Sequence, residues 1–128
     1  MLELKTYMPN IKVDLQNGIY VFNSESAIGK TRLYKELRRN QQYGEAVASY
    51  SYEDYLLGVP ISNVLIPNKY KLIMLDRYDM YSGEGADLIS LCKNNSIILI
   101  DCKSDLHFST EYNWCTIEMT AKLIEVVE

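Results

Sequence analysis

A glycine, a lysine and a threonine, Gly29-Lys30-Thr31, close a short polar stretch that opens at Asn23 and runs through Ser24, Glu25, Ser26, Ala27 and Ile28. Glycine lets a backbone approach an anion with no Cβ in the way. Consecutive N–H groups of such a stretch, together with the start of a following helix, form a nest for a phosphate. Lys30 adds a point charge that reaches the outer phosphates of a phosphate chain. The Thr31 hydroxyl is a hard oxygen suited to Mg²⁺. A carboxylate completes the set: Lys71-Leu-Ile-Met-Leu-Asp76 is an apolar run ending in Asp, and Asp76 can hold Mg²⁺ through water. Asp101 ends a second run, Ile97-Ile-Leu-Ile100.

These groups meet only if the right elements carry them. Ile19-Tyr-Val-Phe22 reads as a buried strand leading into the polar stretch. Thr31 to Asn40 reads as a helix with Leu33 and Leu37 on one face and basic residues opposite. Ala46 to Tyr52, Lys71 to Asp76 and Ser96 to Asp101 are further strands. Glu53 to Leu57 suits one helical turn, and Gly58 to Asn68 a helix or a loop insertion. Asp79 to Gly85 is a loop, and Gly85 to Asn94 a helix with Leu88, Leu91 and Cys92 on one face. Buried strands alternating with helices imply parallel strands joined by crossovers. Both chain ends look antiparallel. Leu2 to Met8 and Ile11 to Leu15 alternate as strands, Asn17-Gly18 is a hairpin-turn dipeptide, and Trp114 to Val127 is a strand pair turning near Thr120-Ala121. Ligands of such sheets bind outside the carboxyl ends of the strands. The Ser24 loop, Asp76 and Asp101 all lie at such ends.

A strand, a G-x-x-x-x-G-K-[ST] loop and a helix in that order resemble the P-loop NTPase superfamily. Gly29, Lys30 and Thr31 meet the last three positions, while Ser24 stands where the first glycine is expected. With the Asp76 strand, a helix and a further strand bearing Asp101, the chain looks most like the branch of ABC-type and AAA-type ATPases. The resemblance covers about Leu2 to Val127. It implies a three-layer α/β core with a mainly parallel sheet and antiparallel additions at both chain ends, in one domain over residues 1–128. It also implies binding of ATP or GTP with Mg²⁺, through Ser24 to Thr31 for the phosphates and Thr31 and Asp76 for the metal. In many members of that branch a water-polarising Glu follows the Asp, but here Arg77 follows Asp76. Asp79, Glu84 and Asp101 are the carboxylates that remain for such work. No signature loop of the ABC type is present.

Three functions fit these residues. The first is a nucleotide-binding protein, with or without slow hydrolysis, acting through a protein partner or a second copy. The second is a degenerate P-loop domain kept for protein interaction, which Ser24, Glu25 and Arg77 favour. The third is a small-molecule kinase, although Arg77 is the only arginine in the region where several are usual for a lid. Mg²⁺-dependent nucleotide binding separates the first from the second.

Composition narrows the field. The chain has 128 residues, a net charge of −4 and 48% apolar residues, enough for one core. Nucleic acid is not indicated, because the only cationic cluster is Lys30, Arg32, Lys35, Arg38 and Arg39, which reads as a solvated helix face. The three cysteines, Cys92, Cys102 and Cys115, form no close pair, Cys92 and Cys102 read as small core residues, and the setting reads as reducing and cytoplasmic. No leader-like or membrane-spanning run stands out. His107 reads as a surface or structural residue and Trp114 as core. The tyrosines read as half-buried groups with wet hydroxyls.

Overall fold

The computed structural model describes residues 2–4, 10–23, 29–67, 69–81, 86–102 and 111–128. Eight strands run in chain order as β1 (Leu2–Leu4), β2 (Asn10–Asp14), β3 (Gly18–Phe22), β4 (Val47–Tyr50), β5 (Leu72–Leu75), β6 (Ile97–Ile100), β7 (Asn113–Met119) and β8 (Leu123–Val127). The helices are α1 (Lys30–Gln42), α2 (Tyr52–Leu56), α3 (Ser62–Leu65) and α4 (Ala86–Cys92), with a 3-10 turn at Tyr78–Met80.

Every residue of β4, β5 and β6 is buried. Strands covered on both faces read as continuous apolar runs and favour parallel pairing. The sheet follows that logic, in the order β1-β2-β8-β7-β3-β6-β5-β4. β3 pairs in parallel with both β6 and β7, and β5 with both β4 and β6. The two chain ends add antiparallel pairs, β1 with β2 and β7 with β8. A parallel pairing of β2 with β8 brings those ends together.

Alternate residues of each central strand feed two cores. Tyr20, Phe22, Met74 and Leu99 face the core that takes Leu33 and Leu37 of α1. Ile19, Val21, Ile73 and Ile98 face the core that takes Val64 and Leu65 of α3 and Ile89 and Cys92 of α4. Helices thus pack on both faces of a mostly parallel sheet. Among the described residues, no helix is long and apolar enough to cross a membrane.

Four local expectations fail. Asn17-Gly18 does not turn a hairpin, because β8 and β7 lie between β2 and β3. Ile19 to Phe22 is buried on both faces, which demands a central site, so the chain crosses to β6, where the Gly18 N–H donates to the Ser96 carbonyl at 3.0 Å. Trp114 is not core: it is 57% exposed and meets Tyr112 edge to face. The inner face of α4 uses Ile89 and Cys92, with Leu88 packed beside them, while Leu91 is exposed. The loop proposed for Asp79 to Gly85 begins instead as the 3-10 turn.

Candidate functional site

The register of three strands builds the site. Val21 of β3 and Leu75 of β5 both lie opposite Ile100 of β6. One residue further along, Phe22, Asp101 and Asp76 therefore form a row at the carboxyl ends. The row is pinned by main chain: the Asp101 N–H donates to the Leu75 carbonyl at 2.9 Å, and the Asp76 N–H to the Tyr50 carbonyl at 2.8 Å. The buried Tyr81 hydroxyl donates to the Asp76 carbonyl at 2.6 Å and fixes the turn after β5.

α1 starts above this row. Gly29 is its N-cap with φ 96°, a left-handed conformation that favours glycine. It offers no side-chain cap, and the first turn holds no acidic residue. The partial positive charge of the helix start is thus not offset by a carboxylate of that turn, the condition that suits an anion. Lys30 follows, and its Nζ sits 2.8 Å from Asp101 Oδ1 and 5.9 Å from the Phe22 ring centroid. The two charged side chains are only 17% and 10% exposed. The neighbouring Thr31 is exposed.

Asp76 is hydrogen-bonded to Asp101, and its carboxyl is pushed up to about 6. Burial contributes most, followed by the hydrogen bond and the charge of Asp101. Arg77 and Lys30 pull the other way. Two adjacent carboxylates in a buried place repel each other despite Lys30 and Arg77, and a proton or a divalent cation relieves that repulsion. Beside them lies a cavity of about 300 Å³ lined by residues that include Thr31, Tyr34, Lys35, Ser51, Asp76 and Arg77. Arg77 has φ 53°, unusual for a side chain other than glycine, and its buried Nε finds no hydrogen-bond partner among the described residues.

Of the residues expected to act on phosphate or metal, Thr31 and Asp76 line one cavity, and Lys30, which follows Gly29, meets Asp101 beside Asp76. Ser24, Glu25, Ser26, Ala27, Ile28, Glu84 and His107 lie outside the described residues. Asp101 is in direct contact with Lys30, closer than a position at a strand end alone suggests. The basic face of α1 is not simply solvated. Lys30 and Arg38 are committed to Asp101 and Asp54, and Arg32 and Arg39 flank the buried Glu36. The cavity walls from Ser51 and Tyr34 went unnoticed in sequence, although Ser51 and Asp54 carry the spacing of a capping box.

Among the described residues, no cluster of three or more His, Cys, Asp or Glu gathers around a metal position. The donors available near Asp76 are instead a hydroxyl and carboxylate oxygens, the hard ligands that suit Mg²⁺ completed by phosphate and water. Comparison with known protein families, curated proteins and solved structures finds no match to this chain.

Proposed function

We propose that this chain binds a nucleoside triphosphate, ATP or GTP, with Mg²⁺, and that its sheet and helices form a P-loop-type three-layer core. The phosphates would rest on the start of α1, with Lys30 neutralising their charge. Thr31 and Asp76 would hold the metal ion, which offsets the negative charge of the phosphates. The observation that carries this reading is the row formed by Lys30, Asp101 and Asp76. Residues far apart in sequence place one cation and two carboxylates beneath a helix start that has no side-chain cap. Lys30 would exchange Asp101 for a phosphate oxygen, and the Asp76 carboxylate would turn to the metal. With Arg77 in place of a water-polarising Glu, we expect turnover to be slow or to need a residue from a protein partner or a second copy.

One observation favours the second reading, a degenerate domain kept for protein interaction. Lys30 is already neutralised by Asp101 and is mostly shielded from solvent. Calorimetric titration with ATP and GTP, with and without Mg²⁺, separates the two. Mg²⁺-dependent binding that is lost in Lys30→Ala is the expected result. No heat from the folded protein at millimolar nucleotide would leave only the interaction module.

A further inference from the structure

Two cavities border the first turn of α1. One adjoins Asp76. The other, of about 240 Å³, is lined by Arg32, Met119, Thr120 and Ala121, between the first turn of α1 and the turn joining β7 to β8. Gly29 packs directly against that wall, since a Cβ built there would lie 3.4 Å from Met119 Cβ. Its walls are held firmly. Arg32 Nε pairs with Glu36 Oε1 at 3.3 Å, and Glu36 is only 3% exposed. The Thr120 hydroxyl accepts from the N–H groups of Lys122 at 3.3 Å and Leu123 at 3.1 Å.

The polarity of the phosphate site decides what this second cavity takes. If the metal-holding end of a triphosphate faces Asp76, the nucleoside end points away from Asp76, and the cavity lined by Arg32 is the second one that borders the first turn of α1. We infer that the cavity between Arg32 and the β7–β8 turn receives the base of the bound nucleotide, an inference that rests on the nucleotide-binding reading above. A guanidinium plane and a thioether are surfaces on which a flat aromatic ring stacks well. The volume is below the roughly 300–1,000 Å³ of a site that encloses a whole ligand, and it suits a single ring system.

The test compares MgATP with magnesium tripolyphosphate, which has the phosphates but no base, by calorimetric titration of the full chain. Ala121→Trp fills the cavity. Met119→Ala removes the thioether yet keeps the Cβ that touches Gly29. ATP should bind about tenfold more weakly to Ala121→Trp and a few-fold more weakly to Met119→Ala, in line with the loss of one base stack. Tripolyphosphate should bind both variants as it binds the unmodified protein. Unchanged ATP affinity in both variants, or equal weakening of both ligands, would overturn the inference. If tripolyphosphate binds the unmodified protein and ATP binds no more tightly, the phosphate site stands and the base subsite alone fails. If neither ligand binds, the nucleotide reading fails and the base subsite falls with it.

Discussion

α1 sends two cations toward carboxylates of other elements, and the two pairs are built to opposite ends. Arg38 is saturated. Its guanidinium donates to both oxygens of Asp54, to the Tyr34 hydroxyl at 2.7 Å, to Ser49 Oγ at 3.1 Å and to the Ser49 carbonyl at 3.3 Å. Asp54 also accepts from the Ser51 N–H at 2.9 Å as part of the capping box that starts α2. Burial alone would push the Asp54 carboxyl up, but the Arg38 and Ser51 hydrogen bonds hold it below its ordinary value. At the other pair, Lys30 faces two adjacent carboxylates, and Asp76 is pushed up to about 6 despite Lys30 and Arg77. A satisfied pair locks α1 to β4 and α2. An unsatisfied one stores electrostatic tension that a ligand can release, the condition expected of a functional site.

The largest effect should come from breaking the satisfied pair. Arg38→Met leaves Asp54 and Ser49 without their main donor in a partly buried place, so unfolding in urea should show a loss of about 3 kcal/mol. Nucleotide affinity should stay within a few-fold of the unmodified protein. A loss below about 1 kcal/mol would show that Arg38 is an ordinary surface cation of the kind worth little. In that event the contrast between the two pairs would collapse.

A somewhat smaller effect should follow from Asp76→Asn, with a sign set by pH. The folded-state value of about 6 lies above the ordinary 3.8, so the folded protein prefers the protonated acid. The stability linked to Asp76 is therefore complete below 3.8, declines as pH rises through 6 and is flat above it. Asp76→Asn should remove that decline. It should stabilise the nucleotide-free protein by about 2 kcal/mol at pH 7 and by little at pH 4, while removing Mg²⁺-dependent binding. Asp54 has the opposite sign, for its contribution persists at neutral pH and fades only as pH falls below its ordinary value. Urea unfolding of Asp76→Asn at both pH values checks this. A destabilised variant at pH 7 would mean that the carboxylate pair is not under tension.

Much of this was legible because both-face burial writes itself as uninterrupted apolar runs. Ile19 to Phe22, Leu72 to Leu75 and Ile97 to Ile100 could hardly be anything but central strands, and Asp76 and Asp101 then fall at their ends. Strand order is a different matter. That β6 enters between β3 and β5 is a long-range choice, and it alone brings Asp101 to Lys30. Local turn chemistry at Asn17-Gly18 misled for the same reason, since packing of a whole strand outweighs the preference of two residues. Glu36 was hidden on the buried face of α1, where a carboxylate is tolerated because Arg32 and Arg39 reach its Oε1. Leu91 and Trp114 show that apolar type alone does not place a side chain inside.

The smallest effect separates strain from charge at Arg77. Its φ of 53° and ψ of 46° are left-handed, costly for arginine and easy for glycine. Its charge, however, lowers the Asp76 carboxyl and so favours the ionised form. Arg77→Gly removes both at once, and pH tells them apart. At pH 4.5 Asp76 is protonated and only the strain matters, so the variant should be more stable by about 1 kcal/mol. At pH 7 the lost attraction to ionised Asp76 opposes that gain, and the stabilisation should shrink toward zero. Urea unfolding at the two pH values gives the answer. An equal gain at both would mean that Arg77 does not act on Asp76, leaving Lys30 as the only cation that matters to the carboxylate pair.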